Sequence, residues 1–250
     1  MRATPMIEEQ IDIATADGTA DSVFYRPDEG RLPGVIHLTD IGGIRQAHRN
    51  MARRLADQGY AVLIPNVFYR SGRPPVLDYP MTIGDERTMK RLAELRDPLT
   101  PEAMARDLSR CIDVLTVQPG VADGPVAIVG YCFTGAMALR GAAERPDRVA
   151  AAASFHGGGL FTNTPASPHL LLPCVTARLY FGHAVEDRGM PADAIAQFDR
   201  ALAAWGGRYA SEVYDGAHHS WTVTDSPAYN RPQAERAFER LTALLADTLH

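Results

Sequence analysis

The 250-residue chain is poor in cysteine, and its three thiols, Cys111, Cys132 and Cys174, are widely spaced with no CxxC among them. An odd, scattered set does not build a disulfide framework, so reduced thiols and a cytoplasmic protein are expected. No run of about 18 apolar residues occurs, and hence no helical membrane span is expected. The opening "MRATPMIEEQIDIATADG" carries acidic residues where a secretory apolar core would stand, so no signal peptide is expected either. Positive charge is in deficit, with 25 Lys and Arg against 30 Asp and Glu and a net charge of −5. That balance argues against a nucleic-acid or anionic-membrane partner, since both require clustered cations. Internal repeats and low-complexity segments are missing too.

What is present is the composition of a globular protein, 46% hydrophobic and 22% charged, long enough for one large domain spanning 1–250. Apolar and polar residues alternate around Asp17-Gly18 in "MIEEQIDIATADGTADSVFYRP", which predicts an antiparallel hairpin. Beyond Pro33-Gly34 the runs "VIHL" and "AVLIP" are continuously apolar, as strands covered on both faces must be. The helical spacing of "QAHRNMARRLADQG" between them completes a βαβ unit. Residues 71–101, rich in Pro, Gly and charge, read as an irregular cap-like excursion with a short helix near 83–96. A helix entered at Pro101 follows. Four more strands ("GPVAIVG", "RVAAAASFH", "VTARLYFG", "GRYASEVYDG") alternate with helical stretches at 133–145, 191–205 and 231–248. The expected fold is therefore α/β, a doubly wound, mostly parallel sheet with an N-terminal antiparallel hairpin.

Functional groups in such a sheet gather at the carboxyl ends of the strands. "VAIVG" runs into Tyr131-Cys132, "ARLYFG" into His183-Ala184-Val185-Glu186-Asp187, and "SEVYDGA" into His218-His219. Nucleophile, acid and base thus follow in the chain order of an α/β-hydrolase triad. A nucleophile on a sharp strand-to-helix turn needs small neighbours. Gly130 answers on one side; on the other, Thr134 stands where glycine is usual and Gly135 follows. A thiolate needs a basic partner or a helix N-terminus, and a helix beginning at Phe133 together with His219 offers both. Asp187 would fix the His219 tautomer. His218 and Glu186 are the adjacent rivals for base and acid. The oxyanion donors are expected to be the backbone N–H groups of Phe133 and of Ile41, in the loop after "VIHL". "HGGGL" at 156–160 follows the nucleophile, unlike the lipase oxyanion motif, and reads as a Gly-rich strand exit. Cys111 and Cys174 read as buried small hydrophobes, His37 as a satisfied core residue, and His48, His169 and His250 as surface residues. A metal site from His156, His183, Asp187 and His219 finds no dense ligand spacing to support it.

The motifs "GYCFTG", "YFGHAVEDRGMP", "YDGAHHSW" and "LTDIGGIRQAHRNMARRLADQGYAVLIPNVFYR", in this order, resemble the dienelactone hydrolase family of the α/β-hydrolase superfamily from about residue 7 to residue 245. The resemblance implies a Cys132-His219-Asp187 hydrolase of small esters or lactones that needs no metal or other cofactor. It also places on Asp40 a carboxylate that holds the resting thiol. The namesake enzymes hold a substrate carboxylate with arginines, one of them shortly after the catalytic histidine, where this chain has Ser220, Trp221, Thr222 and Val223. Arg45, Arg70 and Arg87 are the remaining candidates for an anionic group, and Trp221 for a substrate contact. Acyl transfer or C–C bond hydrolysis on the same triad, and a non-catalytic ligand-binding or redox-sensing module using Cys132, are the alternative functions. The oligomeric state leaves no mark in the sequence.

Overall fold

A computed structural model describes residues 5–250 of the chain, which divides into two compact units at Asp123/Gly124. In the N-terminal unit, β1 (Met6–Thr15) and β2 (Gly18–Pro27) form the expected hairpin, in register from Met6 opposite Pro27 to Thr15 opposite Gly18. β2 pairs antiparallel with β4 (Ala61–Ile64), which pairs in parallel with β3 (Gly34–Leu38), giving the order β1-β2-β4-β3. β3 and β4 are buried at every position, as their unbroken apolar runs require.

Helix α1 (Gln46–Ala56) packs on β2 and β4, α2 (Glu86–Arg96) lies in the 71–101 excursion, and α3 (Pro101–Thr116) packs on β1 and β3. α2 is capped by the Asp85 side chain on the Thr88 N–H, and α3 by Thr100 on the Ala103 N–H with Pro101 at its first position. His48 does not lie on the surface. It falls with Ala52 and Leu55 on the inward face of α1, wholly buried, and its Nδ1 is 2.9 Å from Nε2 of the equally buried His37.

The C-terminal unit is a four-stranded parallel sheet in the order β5 (Val126–Tyr131), β6 (Val149–Phe155), β7 (Arg178–His183), β8 (Tyr209–Val213). Helix α4 (Gly135–Glu144) packs on β5 and β6, and α6 (Arg231–Leu249) on β5, β6 and β7. Helix α5 (Ala192–Trp205) ends at Gly206, whose φ of 71° supplies the left-handed cap. A 3-10 stretch, Pro168–Cys174, precedes β7. Its end leaves Cys174 exposed, contrary to the expectation of a buried thiol, whereas Cys111 on α3 is buried as expected. Among the described residues no helix is long and apolar enough to cross a membrane.

Candidate active site

β5 ends at Tyr131, and the chain turns through Cys132 with φ of 57° into a 3-10 turn, Cys132–Thr134, before α4 begins at Gly135 rather than at Phe133. The two glycines are sterically required. A Cβ on Gly130 would lie 2.2 Å from the Thr134 carbonyl oxygen, and one on Gly135 would lie 2.3 Å from Ser154 Oγ and 2.7 Å from Gly157 Cα. Thr134, in the place where glycine is usual, is wholly buried and earns its room by hydrogen bonding: its Oγ1 accepts from the Tyr131 N–H at 3.0 Å and donates to the Tyr131 carbonyl at 3.1 Å. The branched side chain thereby ties the corner together.

Cys132 Sγ lies 2.9 Å from His219 Nε2, and His219 Nδ1 lies 2.6 Å from Asp187 Oδ2. Asp187 is buried, and its other oxygen accepts the Gly189 N–H at 2.8 Å, so the carboxylate is held at both ends. Burial of the His219 ring disfavours its charged form, but hydrogen bonds to Asp187 and Cys132 and their negative charges more than reverse this, pushing its pKa up to about 10. A thiol, an imidazole and a carboxylate in such a line can move one proton from sulfur to nitrogen and keep the resulting cation stable. The adjacent rivals, His218 and Glu186, are both exposed.

Backbone strain marks the same place. Among the described residues, the non-glycine positions with positive φ are Cys132 (57°), His156 (42°), Glu186 (52°) and Ser220 (73°), the first and second at the carboxyl ends of β5 and β6, the others next to Asp187 and His219. Left-handed conformations cost such residues roughly 1–3 kcal/mol each and cluster where geometry is functional. Nothing in the local sequence announces them.

The remaining expected site residues are placed as follows. Phe133 directly follows Cys132 in the 3-10 turn. Ile41 sits in the loop after β3, where Asp40 Oδ1 accepts the Gly42 N–H at 2.9 Å and the Asp40 carbonyl accepts the Gly43 N–H at 3.1 Å. Asp40 itself receives a two-pronged bond from Arg45, at 2.6 and 2.9 Å, and His48 Nε2 is 3.4 Å from its second oxygen. Burial opposes its charge, yet His48 and Arg45 hold the carboxyl far below the usual carboxylate range. Arg70 grips Asp107 at 2.6 Å and Asp17 at 2.5 Å, and Arg87 pairs with Asp78 at 3.3 Å over the ring of Tyr79. Each candidate arginine therefore already has a carboxylate. Trp221 is wholly buried against His156 and Tyr214, with no surface to offer a substrate. The sequence offers His156 only as a candidate metal ligand and as the start of "HGGGL"; its contacts with the Cys132 backbone and with the His219 ring do not show there. Among the described residues no cluster of His, Cys, Asp and Glu is arranged to hold a metal ion.

Comparison with known proteins agrees in both sequence and shape. The model of the dienelactone hydrolase family matches residues 20–249. A carboxymethylenebutenolidase of Pseudomonas putida is 29% identical over 242 residues, covering 96% of this chain and 97% of its own. The solved structure of an inferred dienelactone hydrolase from Klebsiella pneumoniae superposes with a TM-score of 0.85 at 22% identity, covering 97% of this chain and 99% of that one. A dienelactone hydrolase-like promiscuous phosphotriesterase from metagenomic libraries superposes at 0.79 with 20% identity, over 98% and 99% of the two chains. The fold is that of the α/β-hydrolases.

Proposed function

The chain belongs to the dienelactone hydrolase family, and on that premise we propose that it hydrolyses small esters or lactones through a thioacyl intermediate on Cys132. The observation that carries this reading is the unbroken line from Cys132 Sγ through His219 to Asp187, at 2.9 and 2.6 Å, with the thiol on a strained corner. His219 takes the thiol proton at Nε2. The sulfur attacks the carbonyl carbon, and the amide N–H of Phe133 meets the developing oxyanion. Collapse breaks the C–O bond, and the leaving alkoxide takes the proton from His219 Nε2. In a lactone that alkoxide stays tethered to the acyl chain. Water, deprotonated by His219, then attacks the thioester carbon, and the Cys132 sulfur leaves with the proton returned through His219.

The acyl group we propose is uncharged. Arg45, Arg70 and Arg87 are each committed to Asp40, to Asp107 and Asp17, and to Asp78. Releasing Arg45 or Arg70 for a substrate would strand a buried carboxylate, Asp40 or Asp107, whereas Arg87 pairs with an exposed Asp78 and would cost little to release. A carboxylate held by an arginine gains about 1.5–3 kcal/mol, or roughly ten- to a hundred-fold in specificity. The test is hydrolysis of a neutral activated ester by wild type and Cys132→Ala, followed by kcat/KM for a lactone bearing a free carboxylate against its methyl ester. Turnover that vanishes in Cys132→Ala and a ratio near one are expected. Undiminished turnover in Cys132→Ala would refute the nucleophile assignment, and a preference for the acid of about ten-fold or more would refute the neutral substrate.

A further inference from the structure

His156 follows β6, is 1% exposed, and holds φ at 42°. Its backbone N–H extends the β6–β7 ladder by donating to the Gly182 carbonyl at 2.7 Å. The ring bonds at opposite corners: Nδ1 is 3.0 Å from the backbone nitrogen of Cys132, and Nε2 is 2.8 Å from Thr222 Oγ1. An amide N–H only donates, so Nδ1 is the acceptor and carries no proton; Nε2–H therefore donates to Thr222. The ring also meets His219 edge-on, with centroids 5.2 Å apart and planes at 63°, and Trp221 at 5.0 Å and 74°.

An ordinary core histidine needs only to have its two nitrogens satisfied. This one does more, because of what it satisfies. The Cys132 N–H has left the strand ladder and precedes the carbonyls of α4, so at this half-buried corner a side chain supplies its acceptor. That acceptor fixes the peptide plane from which Sγ projects. The same imidazole fixes the His219 ring, to which Sγ must point.

We propose that His156 is the positioning residue of this site: its unprotonated Nδ1 sets the Cys132 backbone and its ring edge sets the plane of His219, without touching substrate. The proposal rests on the reading of Cys132 as nucleophile.

The test compares His156→Asn, His156→Gln, His156→Leu and Thr222→Val in the full chain, with Cys132→Ala alongside. Asparagine places an acceptor where Nδ1 stands and tolerates positive φ; glutamine places one where Nε2 stands and cannot reach the Cys132 amide. Readouts are kcat and KM on a neutral activated ester and the alkylation rate of Cys132 by iodoacetamide. A displacement of about 1 Å at a reacting group lowers rate by roughly a hundred-fold, so His156→Leu and His156→Gln should lose about that much in kcat with KM little changed. Their Cys132 should also alkylate more slowly. His156→Asn should recover most of the loss, and Thr222→Val, which frees the tautomer but keeps the volume, should fall between. Equal kcat in the Asn and Gln variants, or wild-type kcat in His156→Gln, overturns the proposal. Should the leucine variant not fold, the Asn and Gln pair decides. Turnover surviving in Cys132→Ala overturns the nucleophile reading itself, whereas an inactive Cys132→Ala beside a fully active His156→Gln overturns only the role of His156.

Discussion

Replacing Asp187 by asparagine changes one atom, and the surroundings dictate how the new amide must lie. Oδ1 accepts the Gly189 N–H at 2.8 Å, so the amide oxygen is kept there and the NH2 group takes the place of Oδ2, 2.6 Å from His219 Nδ1. A donor now faces that nitrogen, which must become the acceptor. The ring proton moves to Nε2, where it blocks acceptance of the thiol proton from Cys132. Two losses combine. Removing a charge-assisted hydrogen bond costs about 1.5–3 kcal/mol, or roughly ten- to a hundred-fold in the population of the imidazolium. Since one pKa unit is about 1.4 kcal/mol, the elevated pKa of His219 should fall by about one to two units. The wrong tautomer then adds its own factor, and a total loss of about a thousand- to ten-thousand-fold in kcat is expected, in line with the same change in serine hydrolases. The assay is steady-state hydrolysis of a neutral activated ester, with circular dichroism to establish that the variant folds. A folded Asp187→Asn enzyme within about ten-fold of wild type would refute the tautomer argument and return the acid role to Glu186.

Brief alkylation at neutral pH followed by peptide mapping should find Cys132 labelled first, exposed Cys174 more slowly, and Cys111, whose pKa burial and Asp107 push up to about 12, only after unfolding; labelling of Cys174 ahead of Cys132 contradicts this. Gly130→Ala forces a Cβ against the Thr134 carbonyl at 2.2 Å and should destabilise the fold. The expected cost is about 3 kcal/mol or more, seen as a melting temperature lower by roughly 6–12 °C, and an unchanged melting curve counts against the packed corner. His219, raised from about 6.5 to about 10, favours the folded state in full below about pH 6.5 and loses that contribution as pH rises through about 10. The melting-temperature gap between wild type and His219→Gln should accordingly be widest in acid and close in strong base; a gap that widens with pH contradicts the ion pair.

The parts of this molecule that local pattern dictates are legible in the sequence. Buried strands require unbroken apolar runs, and β3, β4 and β5 show them; a corner with no room for a Cβ requires Gly130 and Gly135. His48 was within reach as well, since it stands four residues before Ala52 and seven before Leu55 on the apolar stripe of α1. Cys174 was not, because its 3-10 stretch follows a three-residue period that the helical pattern does not describe. Partners remote in sequence are equally invisible. Arg70 reaches Asp107 37 residues ahead and Asp17 53 residues behind, so its charge reads as available until the fold is known. His156 shows in the sequence only as the start of "HGGGL" and as a metal ligand without supporting spacing, and the bond that gives it meaning spans 24 residues.

The four left-handed residues around the thiol also bear on how this protein can be improved or can drift. Glycine at Ser220 or Glu186 would relieve torsional strain of about 1–2 kcal/mol, and any search scored on heat resistance alone will find such changes attractive. The same relief loosens the residue before the proposed acid, Asp187, and the residue after the proposed base, His219. Selection for durability and selection for turnover should therefore pull these positions in opposite directions, and a variant library screened only for solubility would be expected to lose catalysis here first.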